Sequence, residues 1–406
     1  MTSGISRRAT LAGMVAAACP GRAHADFLGH APGMFAAGVI ARDMRGRVVL
    51  QEADGGVFGS RARFGVEAAF RVASVSKMIA TFAFMPLVRA GRIGLDDDVG
   101  AIVGDDLRHP AHRDVAITPR LLLAHLSGLR NGADYPVGFG RRLADRLRAA
   151  RDEADYGEWY APDGERPGRY FAYADVNYAL VAGLMESATG VRFDRYMREK
   201  VFAPHGLDIG FNWSGVSQRK RDRAAAAVRN FDGVWTAQID DAIPQAPDPL
   251  VPRAPEAAST SVDAYRLGDN GFVFGPQGGL RLSLADMDRL VRILRRDSED
   301  MAGLQWVHDG TNGNTESGFY AAYGLAMQRP GFGALDGFFG AESRDWRGHC
   351  GDAYGWMTGM FWNARDGRSI VYAVNGMQEF QRPRAERTAL TPPEQALIDL
   401  ALDRMN

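Results

Sequence analysis

Lysine is almost absent from this chain of 406 residues. Only three lysines, Lys77, Lys200 and Lys220, occur among 48 basic residues, so arginine carries nearly all of the positive charge. Arginine does not lose its proton at useful pH, whereas a desolvated lysine can. A lysine retained inside an otherwise apolar segment, as Lys77 is, therefore suggests that loss of a proton matters at that position.

Cysteine is equally scarce. The chain has two cysteines, Cys19 and Cys350, and Cys19 falls in a predicted leader peptide. After removal of that leader only Cys350 would remain, so no intramolecular disulfide can form.

An excess of charge is also lacking, and so are long apolar runs. The 48 basic and 49 acidic residues nearly cancel, which argues against a nucleic-acid partner. No apolar run beyond the first 25 residues is long enough to span a bilayer, so no transmembrane segment is expected. The pair His109 and His112 has no third metal ligand nearby in the sequence, and Pro110 interrupts the segment between them. We therefore predict no metal and no cofactor.

The first 25 residues have the features of an export signal. The twin arginine Arg7-Arg8 precedes an apolar stretch from Leu11 to Cys19, and Ala23-His24-Ala25 offers a small-x-small cleavage site before Asp26. This segment resembles a twin-arginine signal, which predicts a periplasmic or secreted protein. The residues around Cys19 form a poor lipidation site, which argues against a lipoprotein. The alternative is an apolar N-terminus without an export role.

The order of the secondary-structure signals predicts an α/β protein of the α+β type. Strands are predicted near both ends of the chain and helices in the middle, and Thr118 and Ser283 are predicted to cap the starts of two helices. Residues 131–170 are rich in glycine, arginine and aspartate and are predicted to be an exposed connection with one short helix. We expect one mainly antiparallel sheet flanked by helices, with an inserted, mostly helical subdomain. The sheet subdomain would comprise residues 26–73 and 270–406, and the helical subdomain residues 74–269. Residues 208–262 are predicted to be an irregular cover over the fold.

Ser74 and Lys77 form the first candidate catalytic motif. They are three residues apart at the start of a predicted helix from Ser74 to Ala90, so their side chains share one helix face. A serine hydroxyl needs a neighbouring base to act as a nucleophile, and a lysine whose pKa is lowered by burial can be that base. The alternative for Lys77 is an ordinary solvated amine, because Ser-x-x-Lys by itself is a weak signal.

Two further motifs follow in an informative order. Tyr173-Ala174-Asp175 directly precedes a predicted helix, and Gly348-His349-Cys350-Gly351-Asp352 directly precedes a predicted strand. Together with Ser74-x-x-Lys77, this order resembles the serine β-lactamase and penicillin-binding-protein superfamily, closest to its class C and esterase branch. The segments Leu121–Leu129 and Gly278–Ser283 also resemble that family's "LLTHTSGL" and "GGL-S" stretches. The resemblance extends from about residue 33 to the C-terminus.

The resemblance implies acyl transfer through a covalent intermediate. Ser74 would attack a carbonyl, Lys77 and Tyr173 would share the proton transfers, and backbone N–H groups of Ser74 and Asp352 would bind the oxyanion. We predict that His125 packs or hydrogen-bonds within its helix and that Ser76 is structural. The residues expected to bind substrate are Asp175, His349 and Gly351.

Two departures from the family pattern bear on the substrate. Asp175 replaces the expected asparagine and cannot donate a hydrogen bond when ionised, and it could hold Lys77 protonated. His349 replaces a lysine that helps to hold a substrate carboxylate. Both changes argue against efficient antibiotic hydrolysis and fit an esterase, or an amidohydrolase acting on uncharged or D-amino-acid-like substrates. An esterase acting on a small-molecule ester is the first expectation. The alternatives are an amide or D-amino-acid peptide hydrolase, such as a D-aminopeptidase or D-Ala carboxypeptidase, a β-lactamase, and a non-catalytic penicillin-binding-like sensor.

Overall fold

The computed structural model describes residues 25–104, 106–213, 215–231, 233–238, 262–332, 337–377, 385 and 388–406. Except for Ala25, the predicted signal peptide lies outside these ranges. Among the described residues, no helix has both the length and the apolar character needed to cross a bilayer.

The described part of the chain contains twelve strands. The five longest form one antiparallel sheet in the order β10-β11-β12-β1-β2. The strands are β1 Ala36–Arg42, β2 Val48–Gly55, β3 Phe70–Arg71, β4 Gly210–Phe211, β5 Ala227–Phe231, β6 Val234–Gln238, β7 Leu280–Leu282, β8 Trp306–Val307, β9 Ala322–Tyr323, β10 Trp346–Ala353, β11 Trp356–Asn363 and β12 Ser369–Asn375.

The N-terminal hairpin and the C-terminal strands meet in the middle of this sheet. β1 pairs with β12 along its whole length, so that Val39 lies opposite Tyr372. This pairing of strands from the two ends of the chain agrees with the predicted architecture. The prediction of an antiparallel α+β fold is confirmed by the sheet and by the structural relatives described below.

Ten α-helices are described, and most of the longer ones match predicted helices. They are α1 Ala25–Leu28, α2 Val75–Arg89, α3 Val99–Val103, α4 Pro119–Leu123, α5 Leu143–Ala150, α6 Val176–Thr189, α7 Phe193–Tyr196, α8 Gln218–Arg221, α9 Leu284–Asp297 and α10 Pro392–Met405. A π-helical segment, Met197–Phe202, continues α7. The predicted caps Ser283 and Thr118 accept hydrogen bonds from the first turns of α9 and α4.

Both faces of the central sheet are covered. Ala37 and Val39 of β1 belong to one buried cluster with Ile398 of α10, whereas Ile40 belongs to another with Leu284 of α9. Successive residues of a strand point to opposite faces, so α9 and α10 must cover opposite sides. Burial on both sides explains why β1 is an uninterrupted apolar run.

Helix α2 runs through the interior of the protein. All of its residues from Val75 to Met85 are buried, as is Leu87, and the helix contacts both α6 and the sheet. A helix that is apolar on every side is stable only when it is surrounded by protein. The serine and lysine of the first motif are therefore carried by the most enclosed helix of the fold.

The structure corrects two local predictions and completes a third. Residues 208–262 were predicted to be irregular, but they contain the antiparallel hairpin of β5 and β6; residues 239–261 lie outside the described part. The motif Gly348–Asp352 directly precedes the predicted strand, which is β11, but it also lies within a strand of its own, β10, that was not predicted. Helix α4 ends at Leu123, so His125 follows the helix to which it was assigned. β5 pairs with β6 and β10 with β11, and the His125 carbonyl accepts the Ala172 N–H, so pairing with another segment decides the local structure in each case.

Candidate active site

Ser74 lies at the point where β3 passes into α2. β3 pairs with β7 and so fixes the chain just before the serine. Ala73 has a φ of 52°, a left-handed conformation that is uncommon for alanine. Such backbone strain is frequent at functional sites, where the surrounding structure maintains it. The turn at Ala73 places Ser74 at the N-cap of α2 and at the wall of a cavity.

The side chain of Lys77 is completely buried and makes three polar contacts. Its Nζ atom lies 3.0 Å from Ser74 Oγ, 2.6 Å from the carbonyl oxygen of Gln277 and 2.6 Å from Asp175 Oδ1. The contact between Ser74 and Lys77 that helix geometry predicted is therefore present.

Burial and charge act on Lys77 in opposite directions. Loss of water lowers the pKa of Lys77, while the nearby Asp175 carboxylate and, to a smaller extent, Glu316 raise it. The net effect is a pKa below the ordinary value for lysine. A lysine that loses its proton more easily than usual is suited to act as a base.

Both carboxylate oxygens of Asp175 are engaged within the protein. Oδ1 contacts Lys77, and Oδ2 accepts a hydrogen bond of 2.8 Å from the Tyr135 hydroxyl. The backbone N–H groups of Asp175 and Val176 donate to Asn131 Oδ1 and hold the residue at the start of α6. Asp175 was predicted to bind substrate; it lies on the cavity wall, and its carboxylate is already paired with Lys77.

Tyr173 is held between two aromatic rings and a cation. Its ring stacks on His125 with a centroid distance of 4.2 Å and on Tyr320 at 5.0 Å, and Lys77 Nζ lies 4.7 Å from its centroid. Burial, followed by the negative charge of Asp175, raises the pKa of Tyr173 well above 10. Tyr173 therefore holds its proton at neutral pH.

The hydroxyl groups of Tyr173 and Ser74 are neighbours. The Ser74 hydroxyl is close enough to stabilise the ionised form of Tyr173. This interaction lowers the pKa of Tyr173 and offsets part of the rise caused by burial and Asp175. The two hydroxyls are not aligned as a regular hydrogen bond, and no other described residue pairs with the buried Tyr173 hydroxyl. The structure thus brings the three predicted catalytic side chains together.

Gly351 allows β10 to approach the start of α2. A Cβ atom at this position would lie 2.4 Å from both the Val72 carbonyl oxygen and Thr358 Oγ1, which leaves no room for a side chain. Thr358 of β11 donates to that same carbonyl at 2.9 Å. The close approach brings Asp352 to the cavity that Ser74 also lines, as the predicted oxyanion role requires.

The prediction that His349 binds substrate is corrected. The ring is fully buried, Nδ1 donates to the Cys350 carbonyl, and Nε2 accepts from the Tyr323 hydroxyl at 2.7 Å. Burial lowers the pKa of His349 to about 3, so the ring is neutral. His349 lies in the interior because side chains alternate along β10, and the cavity is lined instead by the neighbouring Cys350.

The cavity beside Ser74 has a volume of about 320 Å³. Five of the predicted site residues line it: Ser74, Tyr173, Asp175, Gly351 and Asp352. Apolar and aromatic side chains, Phe319, Tyr320 and Met357, form further parts of its wall, together with the acidic Glu316. Within the described ranges, no group of three or more metal-binding side chains is assembled.

The sequence did not identify two residues that contact the site. Gln277 supplies a carbonyl oxygen to Lys77, and its position directly before Gly278-Gly279 is a signal that could have been used. Tyr135 pairs with Asp175, but it falls in a segment rich in glycine, arginine and aspartate that was predicted to be an exposed connection. Nothing in the local sequence distinguishes Tyr135 there.

Comparison with known proteins agrees with this geometry. A family model described as Beta-lactamase matches residues 28–391. The chain belongs to the beta-lactamase family. The predicted membership of the serine β-lactamase and penicillin-binding-protein superfamily is confirmed, and proteins of this superfamily are serine hydrolases that act on amides or esters.

Curated relatives of this beta-lactamase-family protein match it over part of their length. Penicillin-binding protein 4 of Amycolatopsis lactamdurans is 28% identical over 180 residues, which are 44% of this chain and 44% of the relative. A putative D-alanyl-D-alanine carboxypeptidase of Escherichia coli K12 is 29% identical over 144 residues, or 34% and 32% of the two chains. The aligned segments thus span less than half of these relatives.

A solved structure supports the beta-lactamase fold over nearly the whole chain. The beta-lactamase/D-alanine carboxypeptidase of Yersinia pestis superimposes with a TM-score of 0.61. The alignment covers 93% of this chain and 95% of that protein, at 15% sequence identity. At this identity the similarity establishes the shared fold.

Proposed function

We propose that this protein is an exported serine hydrolase that forms an acyl-enzyme on Ser74, with esters as its preferred substrates. The observation that carries the proposal is the 3.0 Å contact between Ser74 Oγ and the buried Nζ of Lys77 at the wall of a cavity. A hydroxyl beside a base of lowered pKa is the arrangement that nucleophilic catalysis requires.

The surroundings of Lys77 support its role as the base. The Gln277 carbonyl and the Asp175 carboxylate can only accept hydrogen bonds, so they take two N–H groups of a neutral amine. The remaining position around the nitrogen, which carries the lone pair, faces Ser74 Oγ. The lone pair of the amine can therefore accept the serine proton as the oxygen attacks the substrate carbonyl.

Tyr173 is suited to deliver a proton to the leaving group. Its raised pKa keeps the phenol protonated at neutral pH, and its hydroxyl is next to Ser74. When the ester bond breaks, Tyr173 gives its proton to the leaving alkoxide and regains one from the Lys77 ammonium. In the second half of the reaction Tyr173 passes its proton to Lys77 and accepts one from water, which attacks the acyl carbonyl. Lys77 then returns a proton to Ser74 Oγ as the ester bond to the serine breaks.

The oxyanion of the intermediate would be bound by the backbone N–H groups of Ser74 and Asp352. Both residues line the cavity, and Ser74 begins a helix of fifteen residues whose N-terminus favours negative charge. Two preorganised donors directed at a developing oxyanion are a large source of rate enhancement in acyl transfer.

Two features support an ester in preference to a penicillin-like substrate. The side chain of Asp175 has no N–H with which to donate to a substrate amide carbonyl, and both of its carboxylate oxygens already have partners. His349 is buried and neutral, so it offers no cation to a substrate carboxylate. An ester needs neither contact.

A D-amino-acid amide or peptide is the second candidate substrate. Glu316 lines the cavity, and its carboxylate would suit the free ammonium group of a D-amino-acid substrate. The relatives named carboxypeptidases lend this alternative further support. A β-lactamase and an acylated sensor without turnover are the remaining alternatives.

The test is a set of reactions with the mature protein, residues 26–406. p-Nitrophenyl acetate, p-nitrophenyl butyrate, nitrocefin and a D-Ala p-nitroanilide are compared while the intact mass of the protein is recorded. Sustained ester turnover with a transient adduct on Ser74 is expected. Anilide cleavage without ester turnover would favour the peptidase, rapid nitrocefin hydrolysis would favour a β-lactamase, and a lasting adduct would indicate a sensor.

Export is a separate part of the proposal and rests on the leader sequence. A variant in which Arg7 and Arg8 are both replaced by lysine should remain in the cytoplasm, whereas the unchanged chain should reach the periplasm or the medium. The distribution of the protein between cell fractions measures this. Equal distribution of both forms would contradict export through the twin-arginine signal.

A further inference from the structure

We infer that His125 is a positioning residue for Tyr173, locked in place by Asn177 and Ser127. The inference rests on the proposed function, because it concerns the tyrosine to which that function assigns a proton transfer. It also makes a separate claim about the position of the Tyr173 ring, which can be measured without any substrate.

His125 occupies a strained and enclosed position. It follows α4 with a φ of 56°, and only 1% of its surface is exposed. A bulky residue with a left-handed backbone is uncommon, and such strain persists only where other contacts maintain it. The carbonyl of His125 accepts a hydrogen bond from the Ala172 N–H at 3.1 Å, which joins the segment after α4 to the chain just before Tyr173.

The hydrogen bonds of His125 fix its tautomer. Nδ1 accepts from the backbone N–H of Ala174 at 3.1 Å, so the proton of the neutral ring must be on Nε2. Asn177 Nδ2 lies 3.1 Å from the same Nδ1 atom and donates to it. One ring nitrogen of His125 thus holds the backbone immediately after Tyr173.

Ser127 sets the orientation of the asparagine. Its hydroxyl donates to Asn177 Oδ1 at 2.7 Å and accepts the Leu129 N–H at 3.1 Å. With Oδ1 engaged by a donor, the amide nitrogen of Asn177 is the atom that faces His125. Ser127, Asn177 and His125 are all buried, so this chain of hydrogen bonds is protected from water.

The other contribution of His125 is its ring. It stacks on Tyr173 with an interplanar angle of 30°, and Tyr320 stacks on the opposite face of the tyrosine. The Tyr173 ring therefore cannot tilt without displacing a neighbour on one side or the other. The buried Nε2–H of His125 has no hydrogen-bond partner within the described ranges, so the ring is held by Nδ1 and by stacking alone.

The neutral state of His125 also matters to Lys77. Burial and the charge of Lys77 keep the pKa of His125 well below 6.5, so the ring does not become a second cation beside the base. A phenylalanine or an asparagine is neutral as well. Substitution by either residue therefore tests position without adding charge.

Two variants separate the two contributions of His125. His125→Asn keeps an acceptor near the Nδ1 position but loses the ring, whereas His125→Phe keeps a ring but loses the acceptor. With p-nitrophenyl butyrate, we expect His125→Phe to lower kcat by about tenfold or more with little change in KM, because a small displacement of a catalytic group is costly. His125→Asn should lower kcat less than His125→Phe does, because it keeps the acceptor. His112→Phe, at a histidine bonded to the Asp163 carbonyl, is the control and should leave kcat unchanged.

The decisive measurement repeats His125→Phe in a Tyr173→Phe background. If His125 acts through Tyr173, His125→Phe should lower kcat only slightly in a protein that already lacks the tyrosine hydroxyl. An equal loss of kcat in both backgrounds would overturn the inference, as would a loss that is accounted for by a lowered fraction of folded protein.

A readout without substrate keeps this claim distinct from the proposed function. The Cζ resonance of Tyr173 in tyrosine-labelled protein, assigned by its absence in Tyr173→Phe, should shift or broaden in His125→Phe and stay unchanged in His112→Phe. An unaltered resonance in His125→Phe would overturn the positioning role even if the enzyme is active. A shifted resonance in a protein that never acylates Ser74 would support the positioning role and contradict the proposed function.

Discussion

Lys77 Nζ lies 2.6 Å from Asp175 Oδ1, and Asp175 lines the same cavity as Ser74. The lysine is fully buried, while a quarter of the aspartate side chain is exposed. Burial disfavours the charged form of Lys77, and the carboxylate favours it, so the two effects together set the protonation state of the group that contacts the nucleophile. An asparagine at this position would supply hydrogen bonds but no charge.

Asp175→Asn should move the pH dependence of the reaction. Removal of the carboxylate lowers the pKa of Lys77 further, because desolvation is then less opposed. The neutral amine is the active form of the base, so the rise of kcat/KM with pH should occur at lower pH in the variant. The other charged, titratable or aromatic groups that face Lys77 are Tyr173, Tyr178, His125, His349 and Glu316.

Tyr135→Phe is the matched control for that shift. It removes the hydrogen bond to Asp175 Oδ2 but leaves the carboxylate charge, so the carboxylate should hold the Lys77 proton slightly more strongly. The rise of kcat/KM with pH should therefore move to higher pH in Tyr135→Phe, and by less than it moves to lower pH in Asp175→Asn. Identical profiles for Asp175→Asn and the unchanged protein would contradict control of Lys77 by Asp175.

Ser74 and Ser76 should respond in opposite ways to replacement by alanine. Ser74→Ala removes the nucleophile and should abolish turnover with little change in stability. Ser76→Ala should retain turnover but lower the free energy of unfolding by about 1–3 kcal/mol, because the buried Ser76 Oγ accepts the Leu280 N–H at 3.1 Å. Ester hydrolysis and denaturant unfolding on both variants test this pair, and residual turnover in Ser74→Ala would exclude the proposed nucleophile.

His349→Phe should affect stability more than substrate binding. The change leaves the Tyr323 hydroxyl and the Cys350 carbonyl without their buried partner, at a cost of about 1–3 kcal/mol. KM for a neutral ester should stay the same, because the ring does not line the cavity. Since the pKa of His349 is about 3, the pH dependence of activity between pH 5 and 8 should be the same in His349→Phe as in the unchanged protein. A large rise in KM in His349→Phe would show that His349 contributes to substrate binding after all.

Glu186 should make the stability of the fold depend on pH. This carboxyl is buried in α6 and accepts hydrogen bonds from the Phe193 and Gly268 N–H groups and the Tyr265 hydroxyl. Burial raises its pKa from 4.5 to about 7 despite these donors. Its stabilising contribution is therefore fully present below pH 4.5 and is lost as the pH rises to about 7, a change of about 3 kcal/mol.

Denaturant unfolding between pH 4.5 and 7 measures this contribution against Glu186→Gln. The glutamine resembles the protonated carboxyl and does not titrate in that range. The unfolding free energy of the unchanged protein should fall relative to the variant as the pH rises. A constant difference would mean that the three donors keep Glu186 ionised throughout.

The sequence predicted features that depend on local periodicity. The strands near both ends, the caps Thr118 and Ser283, and the contact between Ser74 and Lys77 follow from residue spacing within one element, and these features are present. The antiparallel sheet was also predictable, because two short apolar strands at each end of the chain can bury their faces only by pairing. The family followed from several motifs in one order.

Tertiary structure alone decided the environment of those motifs. The carbonyl of Gln277 reaches Lys77 across 200 residues of sequence, and Asp175, which is also distant in the sequence, pairs with the same lysine. His349 was predicted at the cavity and lies in the interior, and His125 was predicted in a helix and lies against Tyr173. A motif specifies which groups are available, but the direction of a side chain and the burial that sets its pKa depend on packing between distant segments.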